Sequence, residues 1–292
     1  MGARKLKLGI IGAGRVGTGL ALSFARAGRK VVAVASHSMT SARRLARRVP
    51  GSRVSSPQEV ADRADLVFLT VPDDAIETVA SGIRWRADAA CVHCSGAGDL
   101  DLLRKPAAEG AQVGGFHPLR MFGERGKSFD MRGCAVAIAG PHALSGELER
   151  LARALGARPL RLPEGGRALY HAAANFSGAF VVALIAETVA LWKKLGISEG
   201  DATRALLPLL RGSVDNVEKL GTAGALGSVV ARGDVGTIRK HLEALAKADP
   251  ASLDLYRLLS LRTIPLAIAK GTLRPAVAAE IAALLKTGTS RQ

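Results

Sequence analysis

The sequence predicts an α/β domain built on a parallel sheet, followed by a domain made only of helices. Short apolar runs alternate with helical patterns up to about residue 163, and nearly every later segment has helical periodicity. At 292 residues the chain exceeds the usual size of a single core. We therefore expect two domains, an α/β domain over residues 1–163 and an all-α domain over residues 164–292.

Each element follows from its local pattern of apolar and polar residues. The expected strands are Leu6–Ile11, Val31–Ala35, Ser52–Val54, Leu66–Thr70, Ala89–His93, Gln112–Phe116, Cys134–Ala139 and Arg158–Leu162. The helices expected among them are Gly14–Ala27, Ser41–Val49, Pro57–Arg63, Asp74–Ile83 and His142–Leu155. Those expected in the second domain are Arg167–Leu195, Glu199–Leu220, Val235–Ala248, Ser252–Ala269 and Arg274–Lys286.

A glycine-rich turn joins the first strand to the first helix. Gly12, Gly14 and Gly17 have the G-x-G-x-x-G spacing of dinucleotide-binding βαβ units, with Arg15 and Val16 between them. In such units the first glycine forms the tight turn, the second lets backbone approach the pyrophosphate and the third allows close helix packing. The context of strand, turn and helix favours a Rossmann-type domain that binds a dinucleotide. An ordinary glycine turn is the alternative.

The end of the second strand indicates which dinucleotide is bound. A site for NAD places an acidic residue there for the ribose hydroxyls. This chain has Ser36, His37 and Ser38 instead, with Arg43 close behind. These side chains suit a 2′-phosphate, so the sequence predicts NADP.

Two further strand ends should flank this site, because ligands of open α/β sheets bind at the carboxyl ends of the strands. Val71 and Pro72 follow the fourth strand and are expected beside the cofactor. Ser95 follows the fifth strand and is a candidate hydrogen-bond partner of substrate or ribose. Cys91 and Cys94 form a C-x-x-C pair there, but on an extended strand they face opposite ways, so no metal site is expected.

Candidate catalytic groups lie at the start of the helical half. His171 and Asn175 are four residues apart and share one helix face. An imidazole can supply the proton that a hydride-accepting C=O or C=N bond requires, and an amide can orient the substrate. The alternative is a histidine and an asparagine that serve packing alone. His117 and Arg120 follow another strand end and are candidates for lining the cleft, where Arg120 can clamp a carboxylate. The alternative is a loop histidine stiffened by Pro118 and an exposed arginine.

Composition bounds the class of protein. The net charge of +16 raises the question of nucleic acid, but the basic residues are scattered and aromatic residues make up only 4%. No specific nucleic-acid partner is expected.

Three cysteines and no recognisable signal sequence indicate a reducing cytoplasmic setting. Phe176–Trp192 is apolar but interrupted by Glu187, so we interpret it as a buried core helix, with no membrane partner.

Together these motifs resemble a bacterial family with a Rossmann-like domain and a C-terminal helical domain of unknown function. The residues that carry the resemblance are Gly12-x-Gly14-x-x-Gly17, Val71-Pro72-Asp73, His93-x-Ser95-Gly96, Phe116-His117-Pro118-Leu119, Tyr170-His171-x-Ala173 with Asn175, and Arg232-Gly233-Asp234 with His241. Such proteins are labelled NADP oxidoreductases or pyrroline-5-carboxylate-reductase-like. They are similar in plan to β-hydroxyacid dehydrogenases, ketopantoate reductases and 6-phosphogluconate dehydrogenase.

Two departures limit what the resemblance implies. Where β-hydroxyacid dehydrogenases and ketopantoate reductases have a catalytic lysine four residues before the asparagine, this chain has His171. The loop before Arg232 has Gly227-Ser228 where a Gly-Pro pair is usual. Two roles stay open for Arg232, reaching the cleft or pairing with Asp234. Asp234 is expected to cap a helix.

The leading hypothesis is thus a homodimeric NADPH-dependent oxidoreductase that reduces a small, carboxylate-bearing metabolite. The alternative is an NADP-binding sensor without activity.

Overall fold

The computed structural model describes residues 6–121 and 130–287. Eight strands form one sheet: β1 (Lys7–Ile11), β2 (Lys30–Ala35), β3 (Arg53–Val54), β4 (Leu66–Leu69), β5 (Ala90–His93), β6 (Gln112–Leu119), β7 (Ala135–Ala139) and β8 (Arg158–Arg161). All eight predicted strands are present, with ends displaced by at most three residues.

The helices are α1 (Arg15–Arg26), α2 (Met39–Arg48), α3 (Pro57–Arg63), α4 (Ile76–Ser81), α5 (Arg104–Ala108), α6 (His142–Ala154), α7 (Arg167–Ser177), α8 (Ala179–Lys194), α9 (Glu199–Ala225), α10 (Val235–Ala248), α11 (Pro250–Ala269) and α12 (Pro275–Lys286). Short 3₁₀ turns at Asp73–Ala75 and Leu100–Leu103 precede α4 and α5. The sequence assigned no element to residues 100–108, because α5 is one turn long and contains Pro106.

The sheet order is β3-β2-β1-β4-β5-β6-β7-β8, parallel from β3 through β6. β7 runs antiparallel to β6, and β8 is parallel to β7. The first six strands have the Rossmann order 3-2-1-4-5-6, so the order reverses between β1 and β4. The predicted fold class, a Rossmann-type α/β domain followed by an all-α region, is confirmed.

Successive side chains along the buried strands point to opposite faces of the sheet and so divide the core into two layers. Leu66 and Phe68 of β4 face the layer that contains Phe24 of α1 and Leu148 of α6, whereas Val67 faces the layer beneath α3 and α4. Three phenylalanine rings anchor the first layer: Phe24 and Phe68 have ring centroids 5.1 Å apart, and Phe68 and Phe116 have theirs 5.4 Å apart. Both faces of the sheet are therefore covered around β1 and β4, where the glycine turn emerges.

Two compact units make up the chain, Met1–Gly178 and Ala179–Gln292. The last strand ends at Arg161, two residues before the predicted boundary, and α7 is part of the first unit. Backbone angles at Gly178 (φ −114°, ψ −95°) end α7, so the single helix expected over Arg167–Leu195 is two helices.

The second unit has its core among α10, α11 and α12, where Ile238, Ala267 and Ile281 are fully buried. By contrast, α8 and α9 bury only Val189 and Ala202 among the residues of these two helices. The stretch Arg167–Lys194 is long and apolar enough to cross a membrane by length and composition, and little of it is buried. The expectation of a buried core helix at Phe176–Trp192 is therefore wrong, because most of these residues are exposed or half-buried and α8 buries Val189 alone.

Candidate active site

The glycine turn closes tightly against the end of β4. Gly12 has φ +112°, and a Cβ there would lie 2.6 Å from the carbonyl oxygen of Thr70. A Cβ at Gly17 would lie 1.9 Å from the carbonyl oxygen of Gly12. The Thr70 hydroxyl donates a hydrogen bond to that same Gly12 oxygen, at 2.7 Å. The first and third glycines of the motif are thus required for packing at the point where the strand order reverses.

Gly14 differs from its neighbours because it faces open space. A Cβ at Gly14 would meet no other atom within 4 Å. Helix α1 begins at the next residue, with no side-chain cap and no acidic residue in its first turn. Its first N–H groups therefore point outward from the positive end of the helix dipole. Exposed Arg15 and half-buried Val16 border this opening, and the arrangement fits a pyrophosphate.

The residues expected to receive a 2′-phosphate follow β2. Ser36 is half-buried, whereas His37 and Ser38 are exposed. The Ser38 side chain accepts a hydrogen bond from the backbone N–H of Ser41 and so caps α2. Arg43 is exposed on that helix, one turn later.

Ser95 connects the loops that follow β4 and β5. Its hydroxyl donates to the Asp73 carboxylate at 2.6 Å and accepts from the Gly98 N–H at 2.8 Å. Asp73 comes directly after Val71 and Pro72, so this contact fixes the loop expected to flank the cofactor. Because a serine hydroxyl has one proton, Ser95 donates to Asp73 and acts first as a link between the two loops.

Two predicted histidines converge on the backbone of the β5 loop. The rings of His117 and His171 are nearly perpendicular, with centroids 5.8 Å apart. The Nε2 atoms of both rings lie 3.0 Å from the point that a Gly96 Cβ would occupy. A side chain at Gly96 would therefore displace the two imidazoles. Because glycine has no side chain, both rings can approach the backbone at this position.

Tyr170 completes this cluster, although no separate role for it was predicted from the sequence. Its hydroxyl lies 3.1 Å from Nδ1 of His117, and the two rings meet edge to face. Burial raises the pKa of the Tyr170 phenol, although nearby Arg167 opposes the shift. Its position beside His171 in the sequence was the available signal, but its contact with His117, 53 residues away, is a tertiary one.

Arg167 was also missed, and it is the largest fully buried side chain of the described residues, with 2% exposed. Its Nη2 donates to the carbonyl oxygen of Ser95, while Nε and Nη1 are buried without a partner in the part of the chain described. A Cβ at Gly115 would lie 2.6 Å from Nη1, so that glycine makes room for the guanidinium. A buried, incompletely paired cation thus lies beneath the histidine cluster.

This cation acts on the neighbouring imidazoles. Burial first, and then the Arg167 charge, lowers the pKa of His93 to about 3. The same two causes, with His171 third and Asp73 opposing, lower the pKa of His117 to about 4. Both rings are therefore neutral at pH 7.

Other predicted residues have local roles. Asn175 Nδ2 donates to the backbone carbonyl oxygen of His171 at 3.1 Å, one turn back along α7. Arg120 Nη1 donates to the carbonyl oxygen of Asp130 at 2.8 Å. In the second unit, Asp234 accepts from the Thr237 N–H at 3.0 Å, which confirms the predicted cap of α10.

Within residues 6–121 and 130–287, no group of three or more His, Cys, Asp or Glu side chains is placed to hold a metal ion.

Two domain-family models match the sequence. A Rossmann-like domain covers residues 1–118, and DUF2520, a domain of unknown function, covers residues 134–263. No curated protein matches this chain.

Solved structures share the fold over most of the chain. A Bacteroides fragilis protein, provisionally named an NADP oxidoreductase, is 28% identical over 88% of this chain and 96% of its own, with a TM-score of 0.69. A Thermotoga maritima protein is 23% identical over 90% and 99%, with a TM-score of 0.75. The 1-pyrroline-5-carboxylate reductase of Streptococcus pyogenes is 16% identical over 95% and 98%, with a TM-score of 0.63. The two domain-family matches confirm the resemblance inferred from the motifs: the chain carries a Rossmann-like domain followed by a DUF2520 domain.

Proposed function

We propose that this protein is an NADPH-dependent oxidoreductase that reduces a C=O or C=N bond of a small, carboxylate-bearing metabolite. One observation carries the proposal. The glycine turn follows the carboxyl end of β1, and the His117–His171 pair lies against Gly96, in the loop that follows the carboxyl end of β5. Both therefore lie along the edge of the sheet where Rossmann domains bind dinucleotide and substrate. The relative from Bacteroides fragilis, named for NADP oxidoreductase activity, supports it.

The cofactor is NADP rather than NAD. Gly12, Gly14 and Gly17 form the cradle for the pyrophosphate, which is bordered by Arg15 and Val16. The 2′-phosphate binds at a second set of residues: Ser36, His37, Ser38 and Arg43. No acidic side chain follows β2 to select a free 2′-hydroxyl. Val71 and Pro72 flank the nicotinamide half.

When bound in its reduced form, NADP supplies a hydride to the substrate carbon. His171 is the general acid that protonates the substrate heteroatom, a role typically worth about 10²–10⁴-fold in rate. Asn175 orients the substrate from the same helix face, while His117 and Ser95 line the pocket.

The protein acts as a homodimer in the cytoplasm. Helices α8 and α9 expose large apolar side chains, including Val182, Leu209 and Val217. A second copy would cover them, because soluble proteins rarely expose such extended apolar surface.

Cofactor titration tests the proposal first. Fluorescence titration should give tighter binding of NADPH than of NADH, and equal affinities would refute the 2′-phosphate assignment.

A panel of 2-oxo acids, ketopantoate, pyrroline carboxylate and cyclic imines should then yield NADPH oxidation. His171→Gln should lower kcat on the identified substrate by about 10²–10⁴-fold and leave NADPH affinity unchanged. Tight binding with no turnover on the panel would favour the sensor alternative.

A further inference from the structure

We infer that Tyr170 holds His117 as the Nε2–H tautomer, so that the site presents a fixed, neutral hydrogen-bond donor and accepts carbonyl substrates rather than imines. This inference rests on the proposed function and goes beyond it, because it assigns a positioning residue and chooses between C=O and C=N.

The direction of the Tyr170–His117 hydrogen bond follows from the acidity of the two groups. The hydroxyl and Nδ1 are 3.1 Å apart, which is hydrogen-bond distance. A phenol is a stronger acid than a neutral imidazole N–H, and an imidazole nitrogen is a stronger base than a phenol oxygen. The favoured arrangement is therefore Tyr170 O–H donating to Nδ1 of His117. Neutral His117 then carries its own proton on Nε2.

The Nε2–H group is available to a ligand. Within the described residues it has no protein partner, and it is not among the buried unpaired polar atoms. His171 Nε2 lies at the same distance, 3.0 Å, from the Gly96 Cβ position. A ligand atom bound slightly farther out from Gly96 can therefore approach both imidazoles.

The number of lone pairs decides which heteroatom fits. The atom must accept a hydrogen bond from His117 and a proton from His171. A carbonyl oxygen has two lone pairs and can do both, whereas a neutral imine nitrogen has one and an iminium nitrogen has none. A cationic iminium is further disfavoured by the positive charge of the buried Arg167 guanidinium. This charge lowers the pKa of His117 more strongly than the opposing Asp73 carboxylate raises it.

The reaction then balances as a carbonyl reduction. Hydride adds to the carbon, the C=O electron pair passes to oxygen, and that oxygen takes one proton from His171. The ketone becomes a secondary alcohol while the cofactor is oxidised. His117 keeps its proton and stabilises the developing negative charge, a contribution for which one donor is typically worth about 10²–10³-fold.

Imidazole ¹⁵N NMR on the full chain, without cofactor or substrate, tests the tautomer. Wild-type His117 should show an unprotonated Nδ1 and a protonated Nε2, and Tyr170→Phe should convert the signal to a mixture of tautomers. The second unit offers a matched control, since Tyr256 and His241 form a similar pair at 2.9 Å. Tyr256→Phe should alter the His241 signal and leave that of His117 unchanged. A proton on Nδ1 of wild-type His117 would overturn the inference, whatever the substrate.

Two side chains of different reach test the donor itself. The amide nitrogen of a glutamine can replace Nε2–H, whereas an asparagine is shorter and replaces Nδ1. We expect His117→Gln to retain at least tenfold more kcat than His117→Asn, with similar affinity for NADPH. Equal loss in both variants would contradict a donor at Nε2.

The substrate class is tested with pairs of 2-oxo acids and cyclic imine carboxylates of matched carbon skeleton. The expected result is higher kcat/KM for the oxo acids, and about tenfold lower kcat in Tyr170→Phe without a change in NADPH affinity. Preferential reduction of imines would overturn the substrate assignment while leaving the proposed function intact. Failure to bind NADPH would refute the proposed function, and the NMR result would still decide the tautomer.

Discussion

The carbonyl oxygen of Gly12 lies where a side chain at Gly17 would have to be, with only 1.9 Å between that oxygen and the Cβ position. Gly14, between them in sequence, faces open space. The same motif therefore contains two glycines that the fold requires and one, Gly14, that the fold does not require and that we propose for pyrophosphate binding. Substitution separates the two requirements.

Gly17→Ala should destabilise the fold, because α1 would have to move away from β1. Overpacking of this kind costs about 1–3 kcal/mol. Gly14 has backbone angles (φ −76°, ψ −161°) that alanine adopts readily. The free energy of unfolding of Gly14→Ala should therefore lie within about 0.5 kcal/mol of the wild-type value. Its NADPH Kd should nevertheless rise about tenfold or more. Thermal unfolding and fluorescence titration measure the two effects, and an unchanged Kd in folded Gly14→Ala would contradict the pyrophosphate cradle.

Arg43 should distinguish the two nicotinamide cofactors. If it contacts a 2′-phosphate, Arg43→Ala removes a charged hydrogen bond worth about 1.5–3 kcal/mol. We expect NADPH affinity to fall at least tenfold and NADH affinity to stay the same. Arg48→Ala is the matched control, since Arg48 is also exposed but lies at the end of α2. Equal effects of both variants would point to general charge attraction rather than to a site.

Arg167 should set the protonation of the histidine cluster. Its charge is the second cause, after burial, of the low pKa of His117. Arg167→Met keeps much of the volume and removes the charge, so the pKa of His117 should rise from about 4 towards 6.5. NMR titration of the imidazole measures this change directly. A His117 pKa that stays near 4 in the variant would assign the shift to burial alone.

The buried histidines should also make stability depend on pH. The folded pKa of His93 is lowered to about 3, so the unfolded chain binds the proton more readily. Stability is fully present above pH 6.5 and should fall as the pH decreases towards 3, by up to about 1.4 kcal/mol per pH unit for this group. Thermal unfolding at pH 7.5 and pH 5 should show a smaller loss in His93→Leu than in wild type. Exposed His142→Gln serves as the control and should match wild type.

Local sequence patterns sufficed for most of the fold, because strands such as Leu66–Leu69 and helices such as Pro57–Arg63 follow from short apolar runs and caps. The break at Gly178 was missed because apolar periodicity continues across it. The glycine turn was also predictable, since its function depends on spacing within six residues. Arg167 and Tyr170 were not, because their roles arise from contacts with Ser95 and His117, which are distant in sequence.

The apolar surface of α9 leads to a final prediction, on assembly. Leu209, Val217 and Leu220 are exposed and lie on one side of the helix, and Leu209 has 69% of its surface accessible. If a second copy covers them, Val217→Glu would bury a charge in an apolar interface and should dissociate the dimer. Light scattering should give twice 30.3 kDa for wild type and 30.3 kDa for the variant. Glu218→Gln, at an exposed neighbouring position, should remain dimeric. A wild-type protein that is monomeric at micromolar concentration would show that this surface is not a contact between copies.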